Sequence, residues 1–160
     1  MESAMLQNSL MAMAVIAAGT FSASAQTCEA TPQFSTHRTS NSSVRAQYNA
    51  LERGDFRQSI HFGEAAIQSG TSARHRVAAM SNLCVAYAQT GETQRAIEAC
   101  DEAIELSSNS WRAYNNRGAI RWNEGDYSEA QADFQAASNH ASNEEEVQAN
   151  MLISQCVTAG

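Results

Sequence analysis

Lysine is missing from this 160-residue chain, whose ten basic residues are all arginine. Without it there is no lysine Schiff base and no phosphate-loop lysine. Basic residues are also the minority, 10 against 17 acidic ones, and the net charge of -7 argues against a surface that holds nucleic acid by its phosphates. Proline occurs once, at Pro32, and aromatic residues make up only 7%. The four cysteines, Cys28, Cys84, Cys100 and Cys156, stand far apart and no histidine lies at ligand spacing from them, so neither a C-x-x-C redox motif nor a zinc site is expected. His37, His61, His75 and His140 are scattered, and there is no H-E-x-x-H, no G-x-S-x-G serine and no glycine-rich phosphate loop. His61 and Glu64 are i, i+3 neighbours, a weak signal for an acid–base pair, and His75 between Arg74 and Arg76 suits a solvated helix start. No catalytic residue, metal or cofactor is therefore expected, and the length suits one modest domain.

Only one long apolar run is present, Leu10 to Phe21, followed by Ala23-Ser24-Ala25. It is well short of the roughly 20 apolar residues that cross a bilayer. It matches the apolar core and A-x-A site of a signal peptide spanning 1–25, with cleavage expected after Ala25. Met1 to Ser9 hold Glu2 and no arginine where such leaders start with positive charge, so an uncleaved leader or a misplaced start is the alternative. A periplasmic or secreted location with no mature membrane span is expected. Residues 26–43 are rich in Thr, Ser, Asn and Gln, with little apolar periodicity, and are expected to form a polar arm before a domain of residues 44–160.

Within that domain the chain resembles itself at one fixed shift: Gly91, Ala96, Cys100 and Ala103 fall on Gly125, Ala130, Phe134 and Ala137. Met80, Leu83, Cys84 and Tyr87 have the i, i+3, i+4, i+7 spacing of one helix face, and Ala96, Cys100 and Ala103 make a second. Each unit is thus a pair of helices, with a glycine ending the first and small alanines allowing close approach. A degenerate earlier unit carries Gly54-Asp55-Phe56 and Ala66. The step from Gly54 to Gly91 exceeds that from Gly91 to Gly125 by three, which places three extra residues near 69–73.

These residues resemble the tetratricopeptide repeat, with the units 44–76, 77–110 and 111–144; Asn116-Arg117-Gly118 and Gly125-Asp126-Tyr127 match its usage closely. The departures are Cys84 at the usual small position, Arg121 for the usual Tyr, Ser59 for the first small Ala and Gly63 for the aromatic. The resemblance implies an all-α, right-handed α-α superhelix of about three units. Helices are expected near 42–53, 56–69, 73–90, 93–107, 110–124, 127–140 and 143–158. The last is a capping helix covering the end of the array, its start marked by a Ser142/Glu145 capping box.

Cys84 and Cys100 fall on the inward faces of one helix pair, where an oxidising compartment would join them. Cys28 and Cys156 would remain to pair with each other, and the alternative is that all four are small buried residues. The resemblance also implies a concave face lined by the first helices, presenting Ser81, Val85 and Gln89, then Arg112, Asn115, Ala119, Trp122 and Asn123, with Asn116 beside the row. Arg112 and Asn115 could bond a peptide carboxylate or main chain, or simply be solvated; Trp122 could anchor a partner, or pack against the next unit. The carboxylate-clamping Lys and Asn pattern of some family members is incomplete here, since lysine is lacking. The expected function is a non-catalytic interaction module of the bacterial cell envelope, binding a protein or peptide on that face as a monomer or weak homo-oligomer. The alternative is a self-assembling structural protein.

Overall fold

The computed structural model describes residues 30–157, with the main chain alone for Cys156 and Val157. The leader and Cys28, and with it the Cys28–Cys156 pairing, lie outside the described residues. Within them are seven helices and no strand: α1 (Ser42–Glu52), α2 (Phe56–Gln68), α3 (Ala73–Gln89), α4 (Thr93–Leu106), α5 (Trp111–Glu124), α6 (Tyr127–Ala141) and α7 (Glu145–Val157). The expected helices are all present, their ends within two residues of those expected. Among the described residues no helix is long and apolar enough to cross a membrane.

Successive helices pack as the antiparallel pairs α1/α2, α3/α4 and α5/α6, and α7 closes the end against α5 and α6. α1 approaches α3, α3 approaches α5 and α5 approaches α7 closely along their backbones, whereas the backbones of α2, α4 and α6 stay apart and α2 meets α4 through side chains such as the Arg95–Glu64 ion pair. The first helices are therefore the closer row, and the array curves with that row inside. The apolar face of α3 (Met80, Leu83, Cys84, Tyr87) is buried against Ala96, Cys100 and Ala103 of α4. Each first helix ends alike: the N–H groups of Asp55, Glu92 and Asp126 donate at 2.9 Å to the carbonyls of Ala50, Tyr87 and Arg121. The preceding glycine, Gly125 for example, takes φ +89°, a left-handed conformation that side chains disfavour.

One position in each unit is filled in three different ways. Seven residues before and nine after the turn glycine, the chain places Gln47 and Gly63, then Cys84 and Cys100, then Gly118 and Phe134. In the third unit a Cβ on Gly118 would lie 2.7 Å from the Phe134 ring, so the small residue faces the large one. The first unit inverts this, with Gln47 fully buried where a Cβ on Gly63 would stand. Ser59 completes it, its hydroxyl donating to the Gln47 carbonyl at 3.2 Å. In the second unit Cys84 and Cys100 are bonded, with their Cα atoms 5.3 Å apart. A bridge closing a loop of this size contributes about 3 kcal/mol in the chain-entropy model.

Arg121 in the usual Tyr place serves an ionic arrangement. Asp133, 3% exposed, receives two hydrogen bonds from Arg117 and one from Arg121, and Arg117 also reaches Asp101 on α4. Burial works against the Arg117 charge, but Asp133 and Asp101 more than offset it and raise its pKa.

The structure resolves where the three extra residues go and corrects one local expectation. The α2–α3 and α4–α5 connections are equally short, and the surplus lengthens α3, which starts at Ala73, to 17 residues against 14 in α5. Ser142 does not cap α7; it ends α6, and its carbonyl accepts from the Gln148 side chain, because α7 begins only at Glu145.

Candidate functional site

The inner face is not bare. Residues 33–37 of the arm run along it in extended form, crossing α7, α5 and α3 in that order. Composition sets the arm apart from the domain; the structure builds it in, because three asparagines satisfy its main chain.

Each asparagine grips one residue by both backbone groups. Asn150 accepts from the Gln33 N–H and donates to the Gln33 carbonyl, both at 2.8 Å. Asn116 does the same for Ser35 at 2.7 and 2.9 Å, and Asn82 for His37 at 2.7 and 2.9 Å. A carboxamide carries an acceptor and a donor side by side, so it can mimic the neighbouring strand of a sheet; a carboxylate or hydroxyl cannot do both in this way. The three asparagines are fully buried and recur at the step of the repeat, one each on α3, α5 and the capping helix α7. In the first unit the same place holds Arg45, so the ladder ends at α3.

Flanking groups complete the grip. Asn115 donates to the Gln33 carbonyl at 2.9 Å and the Ser35 hydroxyl at 3.1 Å, while its own oxygen accepts from Asn150. Arg112 donates through Nε to the Thr36 carbonyl at 2.9 Å, with its guanidinium over the Trp111 ring. Ser35 is fully enclosed. Phe34 packs against three apolar clusters, which include Val85, Ile120 and Trp122.

The other end of the arm lies in a cationic setting. His37, Arg74 and Arg112 share a cleft of about 310 Å³ with Val77, Leu106 and Trp111. Burial, then the nearby charges of Arg112, Arg74 and His75, lower the His37 pKa from 6.5 to about 4. Burial likewise lowers that of Arg112.

Of the expected concave-face residues, Asn115, Asn116 and Arg112 meet on the arm. Ser81 is buried and lends its carbonyl to Asn116 at 3.3 Å. Gln89 and Asn123 are exposed and share a small cleft with Phe34. Val85 and Ala119 lie in the core beneath. Trp122 is not a free anchor: it is 9% exposed and packed edge-on against Tyr127, with ring centroids 4.8 Å apart, and against Phe134. Sequence reasoning misses Asn82 and Asn150. Sliding the chain by one repeat carries Asn82 onto Asn116 and Asn116 onto Asn150, so the signal lies in positions that the apolar pattern passes over.

Models of the tetratricopeptide repeat match residues 48–110, from within α1 to the turn before α5, and 112–139, across α5 and α6. The chain belongs to the tetratricopeptide-repeat family. Solved tetratricopeptide domains share its fold at low identity. The first such domain of human RPAP3 has 19% identity and a TM-score of 0.64, covering 73% of this chain and 91% of that one. The first tetratricopeptide domain of Spaghetti (RPAP3), bound to the HSP90 peptide SRMEEVD, has 18% identity and a TM-score of 0.64, covering 74% and 91%. The Sgt2 domain from Aspergillus fumigatus has 15% identity and a TM-score of 0.65, covering 80% and 84%. No curated protein matches the sequence.

Proposed function

We propose that this tetratricopeptide protein is a non-catalytic adaptor of the bacterial cell envelope whose inner face holds an extended segment of a partner by its main chain. The ladder of Asn82, Asn116 and Asn150 carries the proposal, since it is shaped for an extended backbone and grips one. Two tetratricopeptide domains of similar fold, bound to an HSP90 peptide and an HSP70 peptide, support a peptide-holding use of this architecture. The Cys84–Cys100 bond and the apolar leader support export, which the intact mass of the natively produced protein checks by loss of residues 1–25.

The test is selection of a displayed random-peptide library on the full chain, counter-selected on a variant with Asn82, Asn116 and Asn150 all changed to Ala and shown by circular dichroism to keep its helices. Peptides enriched by the parent and lost by the variant are expected. A library that yields nothing specific either to the parent or to a Ser35→Pro variant, whose arm lacks the N–H held by Asn116, sinks the adaptor reading.

A further inference from the structure

The seated arm fills the surface that a partner would need, and it shows what fits there. Main-chain pairing falls on every second residue, so proline is barred at the places of Gln33, Ser35 and His37, where the N–H is used. Between the first two, Phe34 reaches apolar side chains of successive units. Ser35, fully enclosed, leaves room for a small side chain only, and its hydroxyl accepts from Asn115. Direction is set as well, because the earlier residue meets α7 and the later one α3.

We infer that residues 33–37 are an internal stand-in for the partner, and that the partner segment is extended, runs from α7 to α3, and carries a large apolar residue followed at once by a small hydroxyl residue. This rests on the adaptor reading and adds to it the partner's chemistry and a competitor. A tethered segment acts at high effective concentration, so an outside segment of equal affinity binds only the fraction of molecules whose arm has left.

The probe is a fluorescent peptide with the sequence of residues 30–39, titrated by anisotropy into the full chain and into its Ser35→Pro variant, which lacks the central N–H. The variant is expected to bind the peptide about tenfold or more tightly than the parent. A peptide carrying Phe34→Ala or Ser35→Leu is expected to lose binding by a similar factor, as is a protein that adds Asn116→Ala to Ser35→Pro. Gln33→Pro, which removes the N–H bound by Asn150, serves as a second release variant should the first lose helicity.

Equal binding by parent and release variants overturns the competitor. Equal binding of parent and altered peptides overturns the sequence pattern while leaving the groove. A parent that is a dimer by light scattering and becomes monomeric in the release variants places each arm in a neighbour's groove and overturns the internal arrangement. Binding to neither protein, with amide exchange showing the arm released, removes the adaptor reading itself.

Discussion

Asn116 holds Ser35 by both of its main-chain groups, 81 residues away in sequence, with both partners fully buried. The same carboxamide nitrogen also reaches the Ser81 carbonyl, so one side chain ties the arm to α5 and α3 together.

Asn116→Ala is therefore expected to cost about 2–3 kcal/mol of unfolding free energy, at roughly 1 kcal/mol for each hydrogen bond lost plus the cost of stranding buried groups. Urea denaturation measures it, and hydrogen exchange should show lost protection of the Ser35 amide ahead of α3 and α5. A change within experimental error would mean the arm adds nothing to the fold.

The seat of the arm should weaken in acid. His37 has a pKa lowered to about 4 when docked, under burial and the charges of Arg112, Arg74 and His75, against 6.5 when free. The released arm binds the proton more tightly, so docking is at full strength above pH 6.5 and declines as pH falls toward 4. Between pH 7 and 4.5 the docking equilibrium should drop on the order of tenfold, allowing for screening of this half-buried ring. Arm resonances followed by NMR across that range test this, and a His37→Gln variant should remove the response.

Gly118 faces Phe134 at the place that the disulfide fills one repeat earlier. Gly118→Ala is expected to destabilise by about 1–3 kcal/mol, because its Cβ would meet the ring. Phe134→Leu in the same chain should recover part of that loss. A Gly118→Cys, Phe134→Cys double variant should form a bond that the parent lacks, seen as an additional two-hydrogen mass change on reduction.

Much of the architecture is legible in the chain. Met80, Leu83, Cys84 and Tyr87 mark an inward face because burial recurs with the period of the helix. The echo from one unit to the next marks the pairs because each must bury its face on a neighbour. The Cys84–Cys100 partnership follows from the same two faces. Trp122 misleads for a local reason: an aromatic on the inner helix row serves equally as an anchor or as packing for Tyr127 and Phe134, and periodicity does not separate the two.

By itself, then, the sequence determined the helices, their pairing and the facing places of Cys84 and Cys100, since each depends on side chains whose spacing repeats. Only the tertiary structure decided that Gln33, Ser35 and His37 lie across α7, α5 and α3. The groups that hold them there are backbone N–H and C=O, and every residue apart from proline carries that same pair. The main-chain part of that grip leaves no periodic pattern in the arm's side chains, and the place of the arm emerges only when Asn82, Asn116 and Asn150 are brought into one row.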